Sequence, residues 1–161
     1  MKDENKGRVD RCNGEEPHPT NTAVDSDAET RRESERRSLT AIEQALHTVA
    51  IEDGYNHAAE RILSAHVASF GEAALLDVVI SSESPADCVR LLGRATNFGP
   101  TFRRAIVSWG LGSVDVRVRD AAIQAVENWE DPDLVGLLRE HDEQVDWLRS
   151  YAEGVVHDLE A

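Results

Sequence analysis

The sequence predicts an all-α domain built from repeated pairs of helices, and three observations support this prediction. Apolar residues make up 40% of the 161 residues and aromatic residues only 5%. Alanine, leucine and valine therefore carry most of the apolar content, which favours helices over strands. Apolar side chains recur at helical spacing and never alternate as they do in strands. Finally, one short phrase recurs about every 30 residues, as in repeat proteins.

The chain divides into a polar tail and one folded domain. Residues 1–37 contain Val9 and Val24 but no leucine or aromatic residue. Such a segment buries too little apolar surface to offset the loss of chain entropy, so it is predicted to be disordered. Within it, Ala28–Arg37 has the Glu and Arg spacing of a transient helix. The apolar pattern begins at residue 38, which predicts a folded domain over residues 38–161.

The first helices of the domain follow from apolar spacing and glycine breaks. The first is predicted by apolar residues three or four positions apart, namely Leu39, Ile42, Leu46 and Val49. Thr40 and Glu43 have the spacing of a capping box, and Asp53-Gly54 is a typical helix end. Two further helices are predicted over residues 55–69 and 72–80, with Gly71 between them.

The later helices are separated by proline and glycine. One is predicted over residues 85–95, because Pro85 suits a first helical turn. Gly99-Pro100 is a second break, and residues 102–109 supply the apolar stripe of the next helix. A helix over residues 115–129 has apolar side chains on most of its circumference, which predicts packing between neighbours. Two more are predicted over residues 133–140 and 144–159.

The recurring phrase is centred on an arginine. Four arginines are separated by 29, 29 and 30 residues, namely Arg61, Arg90, Arg119 and Arg149. A small residue follows three positions after each of them: Ser64, Gly93, Ala122 and Ala152. Each unit is therefore interpreted as an antiparallel helical hairpin that buries its face by stacking on the next unit.

These arginines are interpreted as structural residues. An arginine stem covers apolar surface while its guanidinium reaches a carboxylate or a carbonyl of a neighbouring unit. The small residue after each arginine would let a facing helix come close. The acidic residues expected to pair with the arginines are Asp87, Asp115, Asp120 and Asp146.

The repeated phrases resemble a known family. PADCVRLLGRA, DVRVRDAAIQAVENWEDPDLVGLL and VDWLRSYAEGVVHDL look like short HEAT-like repeats of roughly 30 residues, and the resemblance covers approximately residues 55–161. Repeats of this kind are also found in phycobilin lyases and bacterial scaffold proteins. The resemblance implies a right-handed α-solenoid with a concave surface. It implies protein binding and no shared catalytic residues.

The candidate binding site comes from the distribution of charge. Residues 121–161 hold eleven acidic and two basic side chains, a net charge of −9 within the total of −14. Such a surface repels phosphate backbones and favours a basic protein partner. The predicted partner-binding residues cluster after Val126: Glu127, Glu130, Asp131, Asp133, Glu140, Asp142, Glu143 and Asp146.

Catalytic, metal and cofactor sites are not predicted. His57 and Glu60 share a helix face, but a single pair at this spacing is typical of a helix surface. Cys88 lies in an apolar helix and is interpreted as a buried small residue. No phosphate loop or nucleophile elbow is present. The charged N-terminus lacks an apolar leader, so we expect a soluble cytoplasmic protein without a membrane partner.

Three functions remain open at this point. The first is a non-enzymatic interaction module, for example an inhibitor or immunity-type protein that covers a cationic effector such as a nuclease toxin. The second is a lyase-type protein that handles a tetrapyrrole. The third is a nucleic-acid-handling protein, which would need a basic face built from the central arginines: Arg90, Arg94, Arg103, Arg104, Arg117 and Arg119.

Overall fold

The computed structural model describes residues 22–48 and 58–161, and these ranges are entirely helical outside short connections. The helices are α1 (Thr22–Thr48), α2 (Ala58–Phe70), α3 (Leu75–Ser81), α4 (Pro85–Arg94), α5 (Pro100–Leu111), α6 (Val116–Trp129), α7 (Pro132–Glu140) and α8 (Asp146–Glu160). The all-α prediction is confirmed for this part of the chain.

The first helix begins earlier than predicted. Part of the segment expected to be disordered is helical, because α1 starts at Thr22. Glu33 forms ion pairs with Arg36 and Arg37 one turn away, which supports a helix without a core contact. Thr40 is not an N-cap, because its hydroxyl donates to the carbonyl of Arg36 within the helix. Residues 1–21 of the tail and the predicted helix end at residues 53–54 lie outside the described residues.

Helix boundaries from α4 onward follow the predicted breaks. Proline occupies the first turn of α4, α5 and α7. Asp115 caps α6 by accepting from the backbone N–H of Arg117 at 2.9 Å. Asp131 caps α7 by accepting from the backbone N–H of Asp133 at 3.1 Å. Between the two helices, Glu130 adopts a left-handed conformation with φ 47°, which turns the chain sharply.

Helix α6 lies at the centre of the core. It packs against α4, α5, α7 and α8, and half of its 14 residues are buried. Two glycines allow the close approach of its neighbours. A Cβ on Gly93 of α4 would lie 2.9 Å from the Cα of Ala125, and one on Gly110 of α5 would lie 2.7 Å from the Cβ of Ala122. The small residues Gly93 and Ala122 therefore act as the repeat pattern predicts.

The second half of α1 packs against α2. Ile42 and Leu46 of α1 are buried, and α1 contacts α2. His66 of α2 is also buried, and its Nδ1 lies 3.1 Å from the Ser38 hydroxyl of α1. Among the described residues, its Nε2 has no hydrogen-bond partner. Burial lowers the pKa of His66, so the imidazole is held neutral in this contact.

Membrane crossing was also assessed for the helices of the described ranges. None of them combines the length and the apolar character that a membrane span requires.

Candidate functional site

Most of the predicted partner-binding carboxylates are exposed on the last three helices and their turns. Six of the eight lie at the surface: Glu127, Glu130, Asp133, Glu140, Asp142 and Asp146. The side chain of Asp146 is 95% exposed and pairs weakly with Arg149 at 3.3 Å. Glu127 accepts a hydrogen bond from the hydroxyl of Tyr151. These side chains present negative charge to solvent.

Glu143 differs from the other predicted residues, because its side chain is only 2% exposed. It accepts two hydrogen bonds from Arg119, at 2.7 Å from Nε and 3.0 Å from Nη2. It also accepts one from the backbone N–H of Val145 at 2.9 Å, and its carboxylate lies 3.2 Å from His141 Nε2. Mainly through the Arg119 contact, these donors lower the pKa of Glu143 to about 2. Glu143 is therefore buried and holds the loop together through these hydrogen bonds.

Asp131 is also engaged within the protein. Besides capping α7, its side chain, 16% exposed, forms an ion pair with Arg103 at 3.5 Å. Arg103 lies over the ring of Trp129, 5.3 Å from the ring centroid, and donates to the carbonyl of Thr96 at 2.8 Å. The indole N–H of Trp129 donates to the carbonyl of Ala95 at 2.8 Å. Asp131 thus belongs to the packing between α5 and the α6–α7 turn.

The exposed carboxylates form two groups. Glu127, Glu130 and Asp133 surround the α6–α7 turn and are called the upstream acidic group. Glu140, Asp142 and Asp146 surround the α7–α8 loop and are called the downstream acidic group. Helix α7 has nine residues, so the two groups lie at its opposite ends, about 13 Å apart along its axis.

Two of the repeated arginines, Arg90 and Arg119, connect elements that are distant in sequence. Arg90 of α4 binds Asp120 of α6 at 3.1 Å and Asp87 on its own helix at 3.3 Å. Arg119 of α6 binds Glu143 before α8 and donates to the carbonyls of Ser113 and Val114. For Arg90 the predicted carboxylates are the observed partners.

For Arg119 and Arg149 the partners differ in part from the prediction. Arg119 uses Glu143, which was placed among the partner-binding residues, and not one of the four expected aspartates. Arg149 pairs with Asp146 as expected and also donates from Nε to the carbonyl of Glu143 at 2.8 Å. Asp115 binds Arg117 at 2.7 Å on its own helix. The side chain of Arg61 is exposed on α2.

Ion pairs engage five of the six central arginines that a nucleic-acid site would need. Arg94 pairs with Glu60 of α2 at 2.8 Å, and Arg90, Arg103, Arg117 and Arg119 pair as described above. Arg104 is exposed and forms none of the recorded ion pairs within the described ranges. The central arginines therefore offer little unpaired positive charge.

A shallow groove of about 350 Å³ lies between the α7–α8 loop and α8. Its wall contains basic and acidic residues together, including Arg139, His141, Asp142 and Glu153. Arg139 also pairs with Glu160. Among the described residues no group of three or more His, Cys, Asp or Glu could hold a metal ion. Leu138, Ala152 and Val156 also line the groove, so it combines charged and apolar side chains.

The charge pattern did not predict two exposed apolar residues of the later helices and their connections. Val114 is fully exposed and Trp147 is 57% exposed. The apolar stripe of α8 runs through Leu148, Ala152 and Val155, which are buried. Trp147 lies in the first turn of α8, just outside that stripe. Its exposure could have been predicted from this position.

Comparison with family models, curated proteins and solved structures found no match for this chain.

Proposed function

We propose that the protein is a non-enzymatic interaction module that binds a basic protein partner through the carboxylates of its C-terminal helices. The proposal includes a short right-handed α-solenoid of HEAT-like hairpins as the scaffold. Support for the scaffold comes from the 29–30-residue arginine repeat and from the ion pairs of Arg90 and Arg119 to the following helical pairs.

One observation carries the proposed partner chemistry. The last 41 residues expose six of the predicted carboxylates, while their two arginines are engaged by Asp146 and Glu160. The exposed excess of charge is therefore negative on both acidic groups. Such a surface accelerates association with a basic protein and repels nucleic acid, and salt weakens the association. An inhibitor or immunity-type protein that covers a cationic effector has this chemistry.

A capture experiment tests the proposal. The immobilised protein is incubated with an extract of its native cells at 50 and 500 mM NaCl, and bound proteins are identified by mass spectrometry. We expect a basic protein that is retained at low salt and released at high salt. Recovery of no protein partner at either salt concentration would contradict the proposal.

Matched charge variants then locate the contact. E130Q/D133N removes charge from the upstream acidic group, and E140Q/D142N removes the same charge from the downstream group. D77N/E83Q, at two other exposed carboxylates, is the control. We expect at least one acidic-group variant to weaken capture and the control to leave it unchanged. Equal effects of all three would indicate that only total charge matters.

The two alternatives have less support. Nucleic-acid binding would require the central arginines, and ion pairs occupy five of these six. No contact among the described residues supports a lyase-type role. Uptake of a tetrapyrrole by the purified protein would support it.

A further inference from the structure

The groove between the α7–α8 loop and α8 is large enough to receive a side chain of a partner. Its volume of about 350 Å³ lies at the lower end of the range for ligand-sized clefts, about 300–1,000 Å³. Leu138 of α7 and Ala152 and Val156 of α8 form the apolar part of its wall. Ala152 and Val156 are four positions apart, so they lie on one face of α8.

The two arginines of the groove wall are engaged within the protein. Arg139 forms an ion pair with Glu160 at the end of α8. Arg149 pairs with Asp146 at 3.3 Å and donates from Nε to the carbonyl of Glu143 at 2.8 Å. Neither guanidinium is therefore left as an unpaired cation in the groove.

The three acidic residues of the groove wall differ in their contacts. Glu143 is buried, with Arg119 bound to its carboxylate at 2.7 Å and His141 Nε2 at 3.2 Å. Asp142 and Glu153 are exposed, and within the described part of the chain their carboxylates form no ion pair or hydrogen bond. The unpaired charge of the groove is therefore negative.

We propose that the groove receives a basic side chain of the protein partner, whose cation pairs with the carboxylates of Asp142 and Glu153. This inference rests on the proposed function and names the contact that it would use. Arginine and lysine combine an apolar stem with a charged head. The stem suits the apolar part of the groove wall, and the head suits its two unpaired carboxylates.

Charge argues against two other occupants of the groove. A phosphate group or an acidic peptide would meet the carboxylates of Asp142 and Glu153 and would be repelled. A second copy of the chain is disfavoured because each copy carries a net charge of −14. A basic protein is the occupant that the charges favour.

Titration with two matched peptides tests the proposal. The ¹⁵N-labelled protein is titrated at about 50 mM NaCl, where screening is weak, with a peptide of alternating glycine and arginine. The second peptide carries citrulline, the uncharged isostere of arginine, in place of each arginine. We expect the arginine peptide to shift the amide signals of Ala152, Glu153 and Val156 and to leave those of α3 in place. Equal binding of the citrulline peptide would overturn the proposal.

Matched variants separate the groove from the total charge of the protein. D142N and E153Q each remove one carboxylate of the groove wall. E140Q and D158N are the controls, because each removes one exposed carboxylate of α7 or α8 that does not line the groove. D142N and E153Q should each weaken binding of the arginine peptide about two- to fivefold. The two controls should have clearly smaller effects.

The outcomes distinguish the groove from the wider acidic surface. Equal weakening by all four variants, or amide shifts centred away from the groove, would overturn this inference and leave the proposed function intact. Failure of the arginine peptide to bind would also overturn it, and the capture experiment decides separately whether a basic partner exists.

Self-association is tested separately by sedimentation at the same salt concentration. We expect the protein to remain monomeric as its concentration rises. A dimer that E153Q dissociates would overturn the proposal in favour of a contact between two copies.

Discussion

At the scale of single residues, Glu143 shows how the environment determines the role of a carboxylate. Its sequence neighbours Glu140 and Asp142 are exposed, whereas Glu143 is buried against a guanidinium 24 residues away. Four donors surround its two oxygens, so its negative charge stabilises the loop before α8.

The protein should lose stability in acid through Glu143. Because the folded state lowers its pKa from 4.5 to about 2, its contribution is complete above pH 4.5 and disappears as the pH falls toward 2. E143Q should cost about 3–5 kcal/mol at pH 7, since it leaves the partly buried Arg119 without its counter-ion. Urea denaturation at pH 7 and pH 3 measures both effects.

Asp146 provides the control for this prediction. D146N removes an exposed carboxylate from the same loop region and should change the free energy of unfolding by less than about 1 kcal/mol. Equal losses in E143Q and D146N would contradict the assigned role of Glu143.

At the scale of helices, glycine marks which faces are in contact. Gly93 and Gly110 approach α6 so closely that a Cβ would overlap Ala125 or Ala122. Gly136 of α7 and Gly154 of α8 are helical and exposed, and a Cβ at either would meet nothing within 4 Å. The same residue type therefore permits close packing in two helices and merely adds flexibility in two others.

Alanine at these glycines should have opposite effects. G93A should destabilise the protein by about 1–3 kcal/mol, because the added methyl meets the backbone of Ala125. G154A should stabilise it by about 0.5–1 kcal/mol, because alanine is the better helix former. Thermal unfolding of both variants beside the wild type measures the difference. A stabilising G93A would show that α4 and α6 can separate at little cost.

The sequence predicted the helices from α4 to α7 better than it predicted α1. Proline, glycine and aspartate mark the ends of the helices from α4 to α7. Each of these ends can therefore be predicted from a few neighbouring residues. The start of α1 was missed because residues 26–32 are exposed and bury no apolar stripe, and contacts such as Glu33 with Arg36 support the helix instead. A test based on apolar content does not detect such a helix.

At the scale of the whole molecule, the helix at the centre of the core packs against more neighbouring helices than the first helix does. Helix α6 packs against four neighbours, while α1 packs mainly on α2. The α1–α2 contact also contains the buried His66, whose Nε2 has no hydrogen-bond partner in the described part of the chain. A helix with few packed neighbours opens locally at a lower free-energy cost than a helix packed on several sides.

Native-state hydrogen exchange should follow this gradient. Amides of α4 and α6 should exchange most slowly, α8 should follow, and α1 should exchange fastest. Lowering the pH from 7.5 to 5.5 should open α1 selectively once intrinsic rates are corrected, because protonation of His66 is disfavoured in the folded state. Uniform protection across all helices would contradict a gradient.

The candidate site was predictable as a region but not residue by residue. The density of acidic residues after residue 120 is visible in the sequence, and six of the eight chosen carboxylates are exposed. Which two turn inward depends on Arg119 and Arg103, which lie 24 and 28 residues away from their partners. Such pairings require the packed arrangement of α5, α6 and α8.

The Arg119–Glu143 pair also determines where the chain can be cut. A fragment that ends at Glu140 would keep the residues of α1 to α7, yet its Arg119 would lose the carboxylate that binds two of its nitrogens. The same cut would remove Leu148 and Val155 from the core. Fragments meant to remain folded should therefore include α8. Residues should be removed from the C-terminal end only after Val155, the last buried residue of α8.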